Sequence, residues 1–281
     1  MTSFSKRSPT GPGSQPLEED SELSYMPMPS GMMTFAMPDL PEPEETGELG
    51  TAKALLARVA VLAEKYSEDG SHNMIDLAGL DADNLALINQ ILGEGEVSII
   101  AGTGCQVQEA VLAGVWRVRV TDENGALLHD LIEVARFPVT ISALTFHDAQ
   151  AALTLPEEYG ANIVNAPMLL PEINEHIPLA APDSEPHVIN LSLLPHTEED
   201  LAFLDAQLGR SGIIILSRGY GSCRVTATNT RNVWWVQFYN SQDTLILNSI
   251  EITPVPEVVC AAPEDIADSA KRLAEILEVY R

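Results

Sequence analysis

One pattern occurs twice in this chain, and that duplication constrains the fold more than any single residue does. Arg231–Ile252, RNVWWVQFYNSQDTLILNSIEI, reads as two apolar strands joined by a polar turn at Asn240–Asp243. Val, Trp, Phe, Tyr, Leu and Ile suit a pleated surface. Gly114–Val134, GVWRVRVTDENGALLHDLIEV, repeats it 118 residues earlier, with Val115 matching Val233 and Ile132-Glu133-Val134 matching Ile250-Glu251-Ile252. Cys105 and Cys223 share that offset. Upstream, Leu85, Ile88 and Gly93 match Leu201, Leu204 and Gly209 at an offset of 116, so two residues are gained between helix and hairpin. A chain that repeats itself this way is expected to fold as two copies of one unit.

Alternation separates two faces in each hairpin. Trp234, Val236 and Phe238 form one wholly apolar face, repeated as Trp116, Val118 and Val120. The other face holds Val233, Trp235, Gln237 and Tyr239, against Val115, Arg117 and Arg119. The first face is expected to be core, and the second to be wet at times and covered at others. The expected fold is α+β: two tandem repeats of helix plus small antiparallel sheet, related by a pseudo-twofold, whose edges cover one another.

Four regions follow. Residues 1–50 read as a disordered, Met/Pro-rich arm, since Pro, Ser, Gly and Glu dominate. Six of its apolar residues, Met26, Met28, Met32, Met33, Phe35 and Met37, form an island in a chain with eight methionines. Methionine adapts to irregular apolar surfaces, so the island either docks on a partner or packs on this protein's own core. Residues 51–153 hold an N-terminal helix capped by Thr51, with Leu55, Val59, Leu62 and Tyr66 as its stripe, and then the first repeat. That repeat comprises a helix from Asp81 to Gly93, a strand at 96–101, a Gly-rich link, the hairpin and a short helix at 143–153. Residues 154–187, rich in proline, read as a linker with local turns. Residues 188–281 hold a short strand at 188–194, a capping box at Thr197 and Asp200, a strand at 212–217, the second hairpin and a final helix from Pro263.

Charge excludes some functions. The 281-residue chain carries a formal charge of −26, which argues against nucleic acid and anionic membrane and favours basic partners. No apolar run is long enough to span a bilayer and no signal core follows Lys6 and Arg7, so a cytoplasmic protein is expected, without membrane insertion. Cys105, Cys223 and Cys260 lack CxxC pairing and resemble neither a disulfide framework nor a zinc site.

Among local motifs, Ser217–Arg224, SRGYGSCR, has the glycines of a phosphate nest but no GKS/T, and it lies between strands. The favoured reading is a hairpin loop with an arginine-lined contact surface formed by Arg218, Arg224 and Arg231. Cys105 and Cys223 read as symmetric core residues. Glu133 and Glu251 suggest an acid/base pair, but most such acids are simply solvated. No nucleophile elbow, HExxH or GxGxxG occurs, so no catalytic residue, metal site or cofactor is expected.

The stretch LPHTEEDLAFLDAQLGRSGIIILSRGYGSCRVTATNTRNVWWVQFYNSQDTLILNSIEI, followed by VPEVVCAAPEDIADSAKRLAEILE, resembles the HupH/HyaF (HoxQ-type) hydrogenase expression/formation family, and MPMPSGM is similar to its N-terminal arm. The resemblance implies a non-enzymatic chaperone or scaffold for maturation of an uptake nickel–iron hydrogenase. Its implied client is the iron–sulfur small-subunit precursor with its twin-arginine signal, held together with a second accessory chaperone. The competing class is a carrier of a metal-cofactor precursor for large-subunit assembly. Expected client contacts are Met26, Met28, Met32, Met33, Phe35, Met37, Arg218, Arg224, Arg231, Trp235 and Tyr239.

Overall fold

The computed structural model describes residues 49–66, 74–218 and 221–280, all within one compact unit, Met33–Arg281. The arm expected at 1–50 therefore lies outside the described residues, except for Leu49 and Gly50. Met26, Met28, Met32, Met33, Phe35 and Met37 lie outside them too.

The first helix, α1 (Gly50–Glu64), starts before Thr51, with Leu49 at the cap position and no capping bond from its side chain; the free Ala52 N–H donates instead to Asn84 Oδ1 at 2.8 Å. Thr51 is thus not the cap. Next come β1 (Met74–Asp76), α2 (Ala82–Leu92), β2 (Val97–Ala101), β3 (Cys105–Glu109), β4 (Val115–Thr121), β5 (Leu127–Val134) and α3 (Val139–Thr145). The chain continues through α4 (Ala166–His176), β6 (His187–Asn190), α5 (Glu198–Leu208), β7 (Ile213–Ser217), β8 (Ser222–Ala227), β9 (Val233–Tyr239), β10 (Leu245–Ile252) and α6 (Pro263–Val279).

Several expectations hold at their residues. Asp81 caps α2 by accepting the Asn84 N–H at 2.8 Å, and Thr197 and Asp200 form the reciprocal box on α5. Others are corrected. The Gly-rich link is the short turn between β2 and strand β3, and Cys223 and Arg224 belong to strand β8 instead of a loop. The short helix lies earlier, as α3. The strand expected at 188–194 ends at Asn190 and passes into a 3-10 turn, Leu191–Leu193. The stretch read as a linker contains α4, an 11-residue helix. Pro167 sits in its first turn, where no N–H is needed, and Pro171 sits inside it.

The ten strands among the described residues form one sheet, in the order β1-β5-β4-β3-β2-β7-β8-β9-β10-β6. The two small sheets expected from sequence are thus one. Their junction is the antiparallel pair β2–β7, with Ile99 opposite Ile215, which covers what would otherwise be two open edges.

Both faces of the sheet are packed. On one face, Ile99, Val107, Trp116, Val118, Ile215, Val225, Trp234 and Val236 form a continuous core with Phe137, Ile141 and Val259. On the other, two helical layers cover the outer strands. In the first, α1, α2 and α6 pack against Val115, Ile132 and Val134; in the second, α4 and α5 pack against Val233, Ile250 and Ile252. Val233 and Val115 are buried. The face expected to be intermittently wet is therefore core at its outer strands. At Gly114 (φ 76) a Cβ would lie 2.5 Å from Ile266 Cγ1, so glycine lets α6 close on the sheet.

Candidate functional site

The shared apolar face carries several of the buried ionisable groups among the described residues. Glu133 lies opposite Trp116 in the β4–β5 register, and Glu251 lies opposite Trp234 in β9–β10. Glu133 is buried and accepts the Thr140 hydroxyl proton. Burial raises the Glu251 carboxyl. The two glutamates stand on the second strand from opposite sheet edges, so no acid/base pair forms across one site. Burial also raises Cys105, with Glu133 adding to the effect, and pushes Cys223 and Cys260 to about 12. Such thiols stay protonated and inert at neutral pH. Among the described residues, no group of three or more His, Cys, Asp or Glu could hold a metal ion.

Glu109 was not legible as special from sequence. It is buried beside Trp116 and accepts the Gly114 N–H at 3.1 Å. Burial, abetted by Glu96 and Asp265, raises it to about 7 against that bond.

The residues expected to contact a partner are dispersed. Trp235 is half-buried, packs on the layer of α4 and α5, and donates its indole N–H to Asn248 Oδ1 at 2.6 Å. Arg224 is buried within β8, so it does not line a loop. Arg218 follows β7, where its N–H bonds the Glu96 carbonyl, and Tyr239 ends β9 opposite Ser222. Those two share one end of the sheet. Arg231 is exposed in the β8–β9 turn, at the other end. Arg117, the counterpart of Trp235, is buried in a bidentate pair with Asp130, with Nη2 to Oδ2 at 2.6 Å.

A second arrangement lies at the N-termini of α4 and α5. The buried Asp200 accepts the N–H groups of Val164, Asn165 and Ala166 on Oδ1 at 2.8–3.0 Å, and that of Thr197 on Oδ2 at 3.1 Å. Burial pushes its carboxyl up, but the four N–H groups outweigh that and hold it below the usual range. Asn165 also bonds the Pro195 carbonyl, and Thr197 Oγ1 donates to Asn162 O at 2.8 Å. Sequence showed Asp200 only as a cap; nothing local marks its second role, because those partners lie 34 to 36 residues away.

These features define a mixed helix and antiparallel-sheet protein whose cysteines are buried or half-buried. The chain matches the model of the HupH hydrogenase expression protein, C-terminal conserved region, over residues 49–159 and again over 163–280, and it belongs to that family. It is 48% identical over 273 residues to the hydrogenase expression/formation protein HupH of Rhodobacter capsulatus, covering 96% of each chain. It is 42% identical to HoxQ of Cupriavidus necator (95% of this chain, 94% of that one) and 35% identical to the hydrogenase-1 operon protein HyaF of Escherichia coli (95% and 94%). Among solved structures, HupH from Thiobacillus denitrificans is 35% identical, with a TM-score of 0.36, covering 41% of this chain and 93% of that one. Among the described residues, no helix is long and apolar enough to cross a membrane.

Proposed function

We propose that this protein is a non-catalytic chaperone that holds a hydrogenase precursor during maturation in the cytoplasm, with the iron–sulfur small subunit as client. The observation that carries this reading is family membership along nearly the whole chain, with relatives named for hydrogenase expression and formation. The buried, raised thiols support it, since a carrier of metal or cluster needs accessible thiolate. A charge of −26 suits a client with a basic export signal, and association should then slow as salt rises while dissociation changes less. The proposed contacts are the island at 26–37, Trp235, and the sheet end bearing Arg218 and Tyr239.

The same reading takes the chain as two copies of one unit about a pseudo-twofold at β2–β7. Two observations support it: the strand order has corresponding strands at equal distances from that junction, and one family model matches two successive stretches.

The test is affinity capture of the full chain from hydrogenase-producing cells in which each hydrogenase subunit is deleted in turn. Capture that disappears with the small subunit is the expected result. Capture of the large subunit alone would refute the choice of client, and normal hydrogenase assembly in a strain lacking this chain would defeat the chaperone role.

A further inference from the structure

The segment between Arg136 and Arg210, together with Ile246 of the second hairpin, exposes apolar side chains, and apart from its histidines the charged residues of that segment are all acidic. Val164, Met168, Leu193 and Ile246 are 62%, 70%, 80% and 60% exposed, and Leu194 is exposed as well. Hydrogen bonds tie the three segments that bear them. Asp200 fixes the backbone at 164–166, Asn165 binds the Pro195 carbonyl, and Ser192 Oγ accepts the Asn248 N–H at 2.8 Å beside Ile246. These bonds bring the three segments together, and clustered exposed apolar groups mark interaction surfaces.

The rim identifies the occupant. No lysine or arginine occurs between Arg136 and Arg210, whereas that stretch holds eleven acidic residues. Glu198 and Glu199 are exposed directly after Leu193–Thr197. Apolar exposure elsewhere has mixed company: Val279, 63% exposed on α6, shares that helix with Lys271 and Arg272. A second copy of this chain would set one acidic rim against another, and an anionic bilayer would be repelled.

We propose that the surface formed by Val164, Met168, Leu193, Leu194 and Ile246 receives an apolar segment of another protein flanked by lysine or arginine. The apolar side chains bury the centre of that segment, and the acidic rim pairs with its flanks and steers its approach. This assignment rests on the chaperone reading and adds to it a client surface outside the residues expected from sequence.

The test uses the full chain and labelled synthetic peptides followed by fluorescence anisotropy. One peptide has a leucine–alanine centre with paired arginines at both ends. A second has glutamates in place of the arginines, and a third keeps the arginines around a serine–glycine centre. The first should bind about ten-fold or more tighter than the others, a difference of roughly 1.4 kcal/mol. Leu193→Asp and Met168→Asp should each lose about that factor with unchanged circular dichroism and melting, while Val279→Asp binds like the wild type. Equal binding of the three peptides, unaffected binding by both surface variants, or equal loss in Val279→Asp would overturn the assignment. So would surface variants that alter self-association instead of peptide binding. In cells, Leu193→Asp that abolishes peptide binding yet matures hydrogenase normally would overturn this surface and leave the chaperone role intact. Loss of maturation in that variant, matched by the deletion strain, would support both.

Discussion

Trp116 and Trp234 each donate the indole N–H to a backbone carbonyl nineteen residues downstream, Ala135 at 2.8 Å and Thr253 at 3.0 Å. Each also meets a phenylalanine edge-on, Phe137 at 6.3 Å and Phe146 at 5.3 Å between ring centres. Both indoles are fully buried, so each ring fills core volume and ties its hairpin to the loop beyond it. Trp116→Ala and Trp234→Ala should each cost about 3–5 kcal/mol in urea unfolding. Replacement by Phe should cost less but still register, since a buried carbonyl loses its donor, roughly 1–3 kcal/mol. A Trp234→Ala protein as stable as the wild type would contradict this face assignment.

Trp235 is expected to be intermediate. Its ring packs on the α4–α5 layer and bonds Asn248, so Trp235→Ala should destabilise by less than Trp234→Ala but not spare folding. Parallel chemical melts of the two variants decide this.

Asp200 joins the starts of two helices through one carboxylate. Asp200→Ala removes the acceptor of four N–H groups and should cost about 2–4 kcal/mol, since bonds to a charged acceptor are the stronger kind. The carboxyl is held low in the folded protein. Its contribution is therefore present above the unfolded carboxylate range and lost as pH falls through the lowered value. The melting temperature of Asp200→Ala should converge on that of the wild type in strong acid, measured by circular dichroism.

Glu109 has the opposite sign. Its folded value of about 7 lies above the ordinary 4.5, so the folded chain binds more protons between these two values. Stability from this group is complete below about 4.5 and lost as pH rises through about 7, an effect of about 3 kcal/mol at most. Glu109→Gln should flatten that part of the pH profile. An unchanged slope between pH 5 and 7.5 (about the window these values define) would show that Glu109 ionises normally.

Much of the sheet was legible because hairpin periodicity and the offset of 118 are local or internal to the sequence. Asp81, Gly93, Thr197 and Pro263 were legible as helix boundaries because capping chemistry acts within a few residues. What was missed depends on distance. The 116 offset carries over from α2 and α5 to β2 and β7, and Val97 and Ile213 begin those strands; yet nothing local says that they pair into one sheet. Strands β3 and β8 mix polar and apolar residues, and their flanking glycines look like loop. Helix α4 hid behind Pro167 and Pro171, which are tolerated because tertiary packing of Leu169, Leu170 and Ile173 outweighs their local cost. Arg224 looked like a loop residue, whereas it is buried within β8; Trp235 is only half-buried on the α4–α5 layer.

The cysteines separate a chaperone from a metal carrier. Cys223 and Cys260 sit at about 12, and Cys105 is raised too, all through burial with nearby carboxylates adding to the effect. At pH 8 a thiol with a value near 12 is only about one part in ten thousand thiolate, and alkylation and soft-metal binding both require thiolate. The native protein should therefore resist iodoacetamide at pH 8 and become fully alkylated in denaturant, read by intact mass. Protein purified without oxygen should carry no stoichiometric iron, nickel or zinc, read by elemental analysis. Rapid native alkylation of Cys223, or a metal that stays bound through gel filtration and is lost in Cys105→Ser or Cys223→Ser, would shift the balance to the carrier reading. The same Cys→Ser changes should leave client capture intact if the chain only holds a precursor. That outcome and a metal-free wild type together would leave the three cysteines as packing residues of the shared apolar face.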